Sequence, residues 1–313
     1  MALIPFDDRD GTIWMDGVMV PWRDAKLHVL SHGLHYASGV FEGERAYDGN
    51  IFKLREHSER LVASGRILGF EIPYSLDEID TACMQVLAAN ELTEAYVRPI
   101  AWRGTEQLSV SAQQTRIHLA IATWPWPNLF GADRMKGVRL GMAPWKRPHP
   151  ETAPTASKAA GLYMIGTLSK HHAEAAGFDD ALMLNWLGQV SEATGANIFF
   201  AMDGTLHTPT PDCFLDGITR RTVIALAKAR QMRVVERTIE LDEIAAAQEV
   251  FLVGTAAEVT PVREIAGRHY TPGLITEALK NDYDALVRMS PVEVARRAPL
   301  TPPMVPVLPA MAA

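Results

Sequence analysis

The sequence predicts an α+β protein of two domains, with mixed sheets flanked by helices. Three observations carry that expectation. The chain has 313 residues, too many for one small core. Strand and helix candidates alternate in mixed order along it, without an internal repeat. The stretch WPWPNLFGADRMKG (124–137) then breaks the pattern with two prolines and two glycines, where regular structure is not expected. The resulting division is a small α/β domain over 1–127, an interdomain loop over 128–137, a larger domain over 138–296 and a proline-rich tail over 297–313 that reads as disordered.

The elements follow in order. Asp16-Gly17 and Asp48-Gly49, flanked by apolar residues, predict hairpin turns. REHSERLVASGRILG (55–69) places Leu61, Ile67 and Leu68 at helical spacing and stops at a glycine. Ser75 to Glu78 is a capping box that opens a second helix ending near Asn90. AYVRPIAW (95–102) and RIHLAIAT (116–123) are strands, as is GVRLGMA (137–143). A helix is expected from Ala159 to Ala176. A meander then runs through DALMLNW, QVSE, NIFFAM and TLHTP, with turns at Leu187-Gly188 and Asp203-Gly204. A helix over 219–230, strands VVERTIE and EVFLVG joined by a short helix, and a last helix from Thr271 to Met289 complete the reading.

Composition removes several function classes. Apolar residues make up 48% and charged residues 21%, the balance of a soluble globular protein. A net charge of −7 argues against nonspecific nucleic-acid binding and requires local positive groups for any anionic ligand. Cys83 and Cys213 are far apart and lack partner spacing, so neither a disulfide scaffold nor a zinc site is expected. The acidic N-terminus does not read as a signal peptide and no apolar run spans a bilayer, so a cytoplasmic location is the default. The His32/His35 and His171/His172 pairs lack a third ligand at metal spacing, and no metal is expected. Dinucleotide, P-loop, zincin and hydrolase-elbow motifs are absent from the sequence.

Five short stretches carry the chemistry, each with an ordinary alternative. Lys158 in APTASKAAGLY is either a solvated lysine at a helix start or an amine placed to react. LDGITRRT (215–222) offers the N–H groups of Ile218 and Thr219 at a helix start as an anion cradle, or Thr219 as a simple cap. FLVGTAAEV (251–259) ends a strand in small residues that let a ligand approach the backbone, or is only a tight turn. Tyr96, Arg98, Ile100 and Trp102 share one strand face, where Arg98 awaits a carboxylate from substrate or from the protein itself. Glu192 in SEATG faces either solvent or a cationic nitrogen. Together, an amine, an anion cradle, an inward carboxylate and a carboxylate-binding arginine are the parts a pyridoxal phosphate enzyme needs.

HGLHYASGVFEG, EHSERL, AYVRP, PTASKAAGLY, SEATGANIF, LDGITR and GTAAEVTP, in this order over residues 10 to 290, resemble the branched-chain amino acid aminotransferases, which are class IV enzymes of fold type IV. The resemblance implies a pyridoxal 5'-phosphate enzyme of branched-chain amino acid biosynthesis, dimeric at minimum, whose larger domain binds the cofactor. It implies Lys158 as the amine that bonds the cofactor and Tyr163 as the hydrogen-bond partner of the cofactor's phenolic oxygen. Glu192 becomes the partner of the ring nitrogen. Arg60, Thr255 and the N–H groups of Ile218 and Thr219 become phosphate contacts. Tyr36, Phe41, Arg45, Tyr96, Arg98 and Trp126 are implied in the substrate pocket, with pocket residues supplied across the dimer, and Ala256 and Ala257 in the turn that meets the substrate's α-carboxylate. An apolar wall of Phe41, Trp126 and Val110 beside Tyr96 and Arg98 would let one pocket take both an aliphatic side chain and the carboxylate of 2-oxoglutarate.

The expected reaction is transamination between branched-chain or other aliphatic L-amino acids and 2-oxoglutarate. An (R)-selective amine or D-amino acid transaminase on the same fold is the alternative, kept open by GTEQLSVSA (104–112), where Leu108 and Ser109 depart from the family's usual glycine-containing turn. A noncatalytic cofactor carrier would not need Arg98 or an apolar wall.

Overall fold

The computed structural model describes residues 4–126 and 135–299. The expected interdomain loop up to residue 134 and the tail from residue 300 lie outside the described residues. Two compact units are present. The first comprises the described part of Met1–Asp133 with Ser157–Met164 and Val287–Pro291; the second comprises the rest. The segment around Lys158 therefore folds with the first unit, although the sequence division at 138 assigns it to the second.

In the first unit, β1 (Thr12–Met15), β2 (Val18–Pro21), α1 (His32–Tyr36), β3 (Gly39–Phe41), β4 (Glu44–Tyr47), β5 (Asn50–Ile51), α2 (Leu54–Ile67), α3 (Leu76–Ala89), β6 (Ala95–Arg103) and β7 (Ile117–Pro125) follow in order. The strands form one antiparallel sheet in the order β2-β1-β7-β6-β4-β5, with β3 also on β6. Asp16-Gly17 and Asp48-Gly49 both take positive φ, as two-residue hairpin turns require. Ser75 and Glu78 make both halves of the capping box on α3. Trp124 and Pro125 extend β7, contrary to the expected break, because Pro125 falls on the last pair with Ala95, where a missing N–H costs no interior ladder bond. Val97 and Ala101 point into a core with Leu61, Ile79, Val86 and Leu119, while Tyr96, Arg98, Ile100 and Trp102 occupy the other face of β6 as the period of two requires.

One irregularity prepares the site. Pro99 has no N–H to give, and opposite it the neighbouring strand divides into β3 and β4. At the division, Glu42 donates its backbone N–H to the Pro99 carbonyl at 2.8 Å, and its side chain is fully buried.

The second unit contains β8 (Val138–Met142), α4 (Met164–Ala175, whose first residue belongs to the first unit), β9 (Asp180–Leu184), β10 (Val190–Ala193), β11 (Asn197–Met202), β12 (Thr205–Pro209), α5 (Ile218–Ala229), β13 (Arg233–Arg237), β14 (Glu249–Gly254), β15 (Glu258–Ile265), β16 (Arg268–His269) and α6 (Leu274–Leu286). Its sheet is mixed, in the order β10-β9-β8-β15-β14-β11-β12-β13, with β16 on β15. The expected meander is thus split: β9-β10 and β11-β12 are hairpins, but β10 lies at one edge and β11 pairs with β14. Strand β15 is absent from the sequence reading, and Pro261 obscures it there. The last expected helix, Thr271 to Met289, is α6; a further short helix that the sequence reading did not include, α7 (Pro291–Arg297), follows it, opened by Pro291, where a missing N–H is harmless. The expected helix over 159–176 starts late. Ala159 is extended, Ala160–Tyr163 form a 3₁₀ turn and the α-helix begins at Met164.

Candidate active site

Lys158 lies on an extended segment fixed at its backbone. Its carbonyl accepts from Phe41 N–H at 3.2 Å, Ala159 bridges Val40 of β3, and its N–H donates to the Ser64 hydroxyl on α2 at 3.0 Å. The 3₁₀ turn then folds the chain back. The Lys158 amine donates to the Tyr163 hydroxyl at 2.8 Å, although five residues is the wrong interval for one face of an α-helix. Gly161, where the break from helical geometry is expected, lies inside that turn. The Phe41 ring is 4.8 Å from the Tyr163 ring and 5.2 Å from the Lys158 amine.

Phe41 continues this wall toward a cationic group. The Arg98 guanidinium lies 4.7 Å over the Phe41 ring and donates to the Tyr96 hydroxyl at 3.1 Å. Among the described residues Arg98 has no carboxylate partner, and its buried Nε has no hydrogen-bond partner. The internal ion pair that the sequence allowed is therefore not made among the described residues. Trp126 packs on Tyr96 at 4.7 Å with its indole N–H buried and without a partner among the described residues. The Arg45 guanidinium, buried on β4, lies 5.9 Å from the Trp126 ring. Phe41, Arg45, Tyr96, Arg98 and Trp126 are thus gathered as expected. Tyr36 and Val110 are not gathered with them in the single chain. Tyr36 stacks on His32 and is half exposed, and Val110 is 89% exposed.

Arg60 belongs to a network that sequence reasoning missed. Glu42 accepts two bonds from Arg60, at 2.6 and 2.8 Å, and one from His57 at 2.7 Å. Burial by itself would raise the Glu42 carboxyl; the Arg60 guanidinium and His57 outweigh it and hold the acid well below the usual carboxylate range. Burial lowers His57, which stays a neutral ring donating Nδ1–H to Glu42. A signal existed in GVFEG, where Glu42 directly follows the apolar pair Val40-Phe41.

In the second unit, Glu192 sits on β10 just after a bulge. Asn197 donates to it at 3.3 Å and Arg147 Nε lies 3.4 Å away. Arg147 also donates to the Cys213 carbonyl, and Asn197 to the Leu215 carbonyl at 3.1 Å. Asn197 thus ties Glu192 to the loop before α5. The cap of α5 is Gly217, not Thr219, and no side chain among the described residues caps the helix. The first N–H groups, those of Ile218 and Thr219 among them, therefore receive no capping side chain. Only glycine fits the cap, since a Cβ there would come within 2.3 Å of Asn197 Oδ1. Arg220, fully buried, holds this helix start through Asp216 at 2.8 Å and Glu236 at 2.7 Å. Thr255, Ala256 and Ala257 form the turn between β14 and β15.

The fold and these residues define an aminotransferase: the chain belongs to the amino-transferase class IV family, whose model matches residues 39–265. The chain is 42% identical to the branched-chain-amino-acid aminotransferase of Pseudomonas aeruginosa over 288 residues, which cover 90% of this chain and 94% of that one. Among solved structures it is similar to the branched-chain aminotransferase of Thermoproteus uzoniensis with norvaline, at 37% identity and a TM-score of 0.87, covering 92% of this chain and 98% of that one. A branched-chain amino acid aminotransferase from Thermobaculum terrenum in its PLP form matches at 30% identity and a TM-score of 0.84, covering 92% and 97%. No helix among the described residues is long and apolar enough to cross a membrane.

Proposed function

We propose that this chain transfers amino groups between branched-chain or other aliphatic L-amino acids and 2-oxoglutarate, with pyridoxal 5'-phosphate as cofactor. The observation that carries this reading is the Lys158 amine, 2.8 Å from the Tyr163 hydroxyl on a backbone fixed from two sides. The chain fits the cofactor in its donor set. Among the described residues the start of α5 lacks a side-chain cap, and a Cβ at Gly217 would run into Asn197, which ties Glu192 to this helix start. Those N–H groups, with Arg60 and Thr255, would hold a phosphate. Glu192, steadied by Arg147 and Asn197, would hold the proton of a pyridine nitrogen, and Tyr163 would meet the phenolic oxygen.

The bound cofactor supplies an aldehyde that receives the amino group and a ring that takes up an electron pair. Lys158 would supply the base: its Nζ, near the Phe41 ring, would take the proton from the substrate's α-carbon and give it up at the carbon that began as the aldehyde. Tyr163 keeps that amine oriented. Arg98 gives a second carboxylate a cationic partner, so 2-oxoglutarate is accepted, while Phe41 and Trp126 receive an aliphatic side chain. Ala256 and Ala257 present backbone to the α-carboxylate. Local cations thus bind anions on a chain of net charge −7. The half-exposed Tyr36 and the exposed Val110 complete the pocket of a second copy in a homodimer.

Three measurements test this reading. Purified protein should be yellow, and borohydride should fix the cofactor on the Lys158 peptide; a protein left colourless by added cofactor would sink the reading. Arg98→Ala should lower activity with 2-oxoglutarate roughly a hundredfold, the worth of a charged hydrogen-bonded pair, and change activity with an aliphatic oxo acid far less. Equal losses would remove Arg98 from the dual recognition. A donor panel of L-leucine, D-alanine and (R)-1-phenylethylamine should give turnover with L-leucine first; preference for either of the others would shift the assignment to the D-amino acid or (R)-amine type.

A further inference from the structure

Ser64 lies in the last turn of α2, 1% exposed, and touches the Lys158 segment twice. Its hydroxyl accepts the Lys158 N–H at 3.0 Å, and its carbonyl accepts from the Ser157 hydroxyl at 3.0 Å. That carbonyl already takes the N–H of Leu68 in the helix, so it uses both of its lone pairs. A buried serine inside a helical turn has no propensity advantage there, and its hydroxyl is instead spent on another segment.

The same helix carries His57 and Arg60, both bonded to Glu42. Glu42 directly follows Phe41, whose N–H holds the other side of the Lys158 backbone. The contacts close a ring: Glu42 fixes α2, α2 fixes Lys158 through Ser64, and Lys158 returns to Phe41. The peptide of Lys158 is thereby held on both its N–H and its C=O, while among the described residues the side chain beyond it hydrogen-bonds only to Tyr163.

We infer that Ser64, seconded by Ser157, is a positioning residue that fixes the pivot about which the Lys158 amine swings. The inference rests on the reading of Lys158 as the reacting amine. A lysine that must leave its resting partner, take a proton at one atom and return needs a mobile side chain on an immobile backbone. Ser64 supplies the second requirement without touching substrate. Small displacements of such a pivot cost rate rather than affinity, since they reduce the fraction of time the base is aligned.

The test compares Ser64→Ala, Ser157→Ala and, as a control, Ser58→Ala in the holoenzyme. Ser58 is equally buried on α2, but its hydroxyl donates to Asp80 at 2.5 Å and makes no bond to Lys158. Backbone hydrogen exchange at the Lys158 amide should accelerate roughly tenfold in Ser64→Ala, the worth of one buried hydrogen bond. It should accelerate less in Ser157→Ala and stay unchanged in Ser58→Ala. In Ser64→Ala, kcat should fall roughly tenfold with KM for the amino donor within about twofold. Equal effects of Ser64→Ala and Ser58→Ala on exchange and kcat, or an unchanged Lys158 amide, would overturn the inference. Borohydride labelling of each variant separates the two failures. Label on another lysine refutes the role of Lys158 itself, whereas label on Lys158 with unchanged exchange refutes only the role of Ser64.

Discussion

Glu44 is the first group to perturb. It lies on β4 two residues after Glu42, is 0% exposed, and neither of its carboxyl oxygens has a hydrogen-bond partner among the described residues. Burial raises its pKa well above 4.5, and the charges of Glu42 and Asp80 push the same way. The folded protein therefore holds a proton that the unfolded chain releases near pH 4.5. A group of this kind is harmless below that value and costs stability as pH rises, until the folded carboxyl itself ionises. Each pH unit above 4.5 costs on the order of 1 kcal/mol, so the cost is at most about 3 kcal/mol at pH 7 and about 5 kcal/mol at pH 8. Glu44→Gln keeps the shape and removes the ionisation. Urea unfolding of both proteins from pH 5 to pH 8, followed by tryptophan fluorescence, should show the variant ahead by a margin that grows with pH within that bound. A margin independent of pH, or a wild type more stable at pH 8, would refute the reasoning that Glu44 is carried as a neutral acid.

The remaining predictions concern the network around Lys158 and the two substrate-facing regions. His57 and Glu42 both bind fewer protons folded than unfolded, so their stabilisation is complete above about pH 6.5 and lost on acidification, first through His57 and below pH 4.5 through Glu42. Thermal melts of wild type should fall along that course, and Glu42→Gln should lose the lower part of it along with about 3–5 kcal/mol at pH 7, because Arg60 is left as a buried cation without its carboxylate. Gly217→Ala should weaken cofactor affinity roughly tenfold, since the new methyl displaces Asn197 from Glu192 and from the α5 start; an unchanged dissociation constant in an absorbance titration would count against the cradle. Gly43→Ala would bring a Cβ within 2.0 Å of the Tyr96 hydroxyl and move it from Arg98, so KM for 2-oxoglutarate should rise more than KM for an aliphatic oxo acid in steady-state assays.

Much was readable before any coordinates. Periodicity placed α2, α3, α5, β6 and β7, because each buries one face and the residue pattern records which. The capping box at Ser75 and the Asp-Gly turns are set by bonds or dihedrals within a few residues, so their signals are local. Lys158, Tyr163, Glu192 and the start of α5 stood out as types suited to one chemistry, in an order that resembles one family. Tertiary structure decided the rest, because the deciding contacts join residues far apart in sequence. Ser64 looks like any helix serine until Lys158, 94 residues later, donates to it. Glu42 and Glu44 differ by two positions and by nothing local, yet one is ionised against Arg60 and His57 and the other is kept neutral. The strand pairing that split the expected meander follows from which edges find partners, which no window of sequence contains. Sequence alone determined the kinds of groups available and the faces they occupy; only folding decided which of them meet, and burial then set their charge.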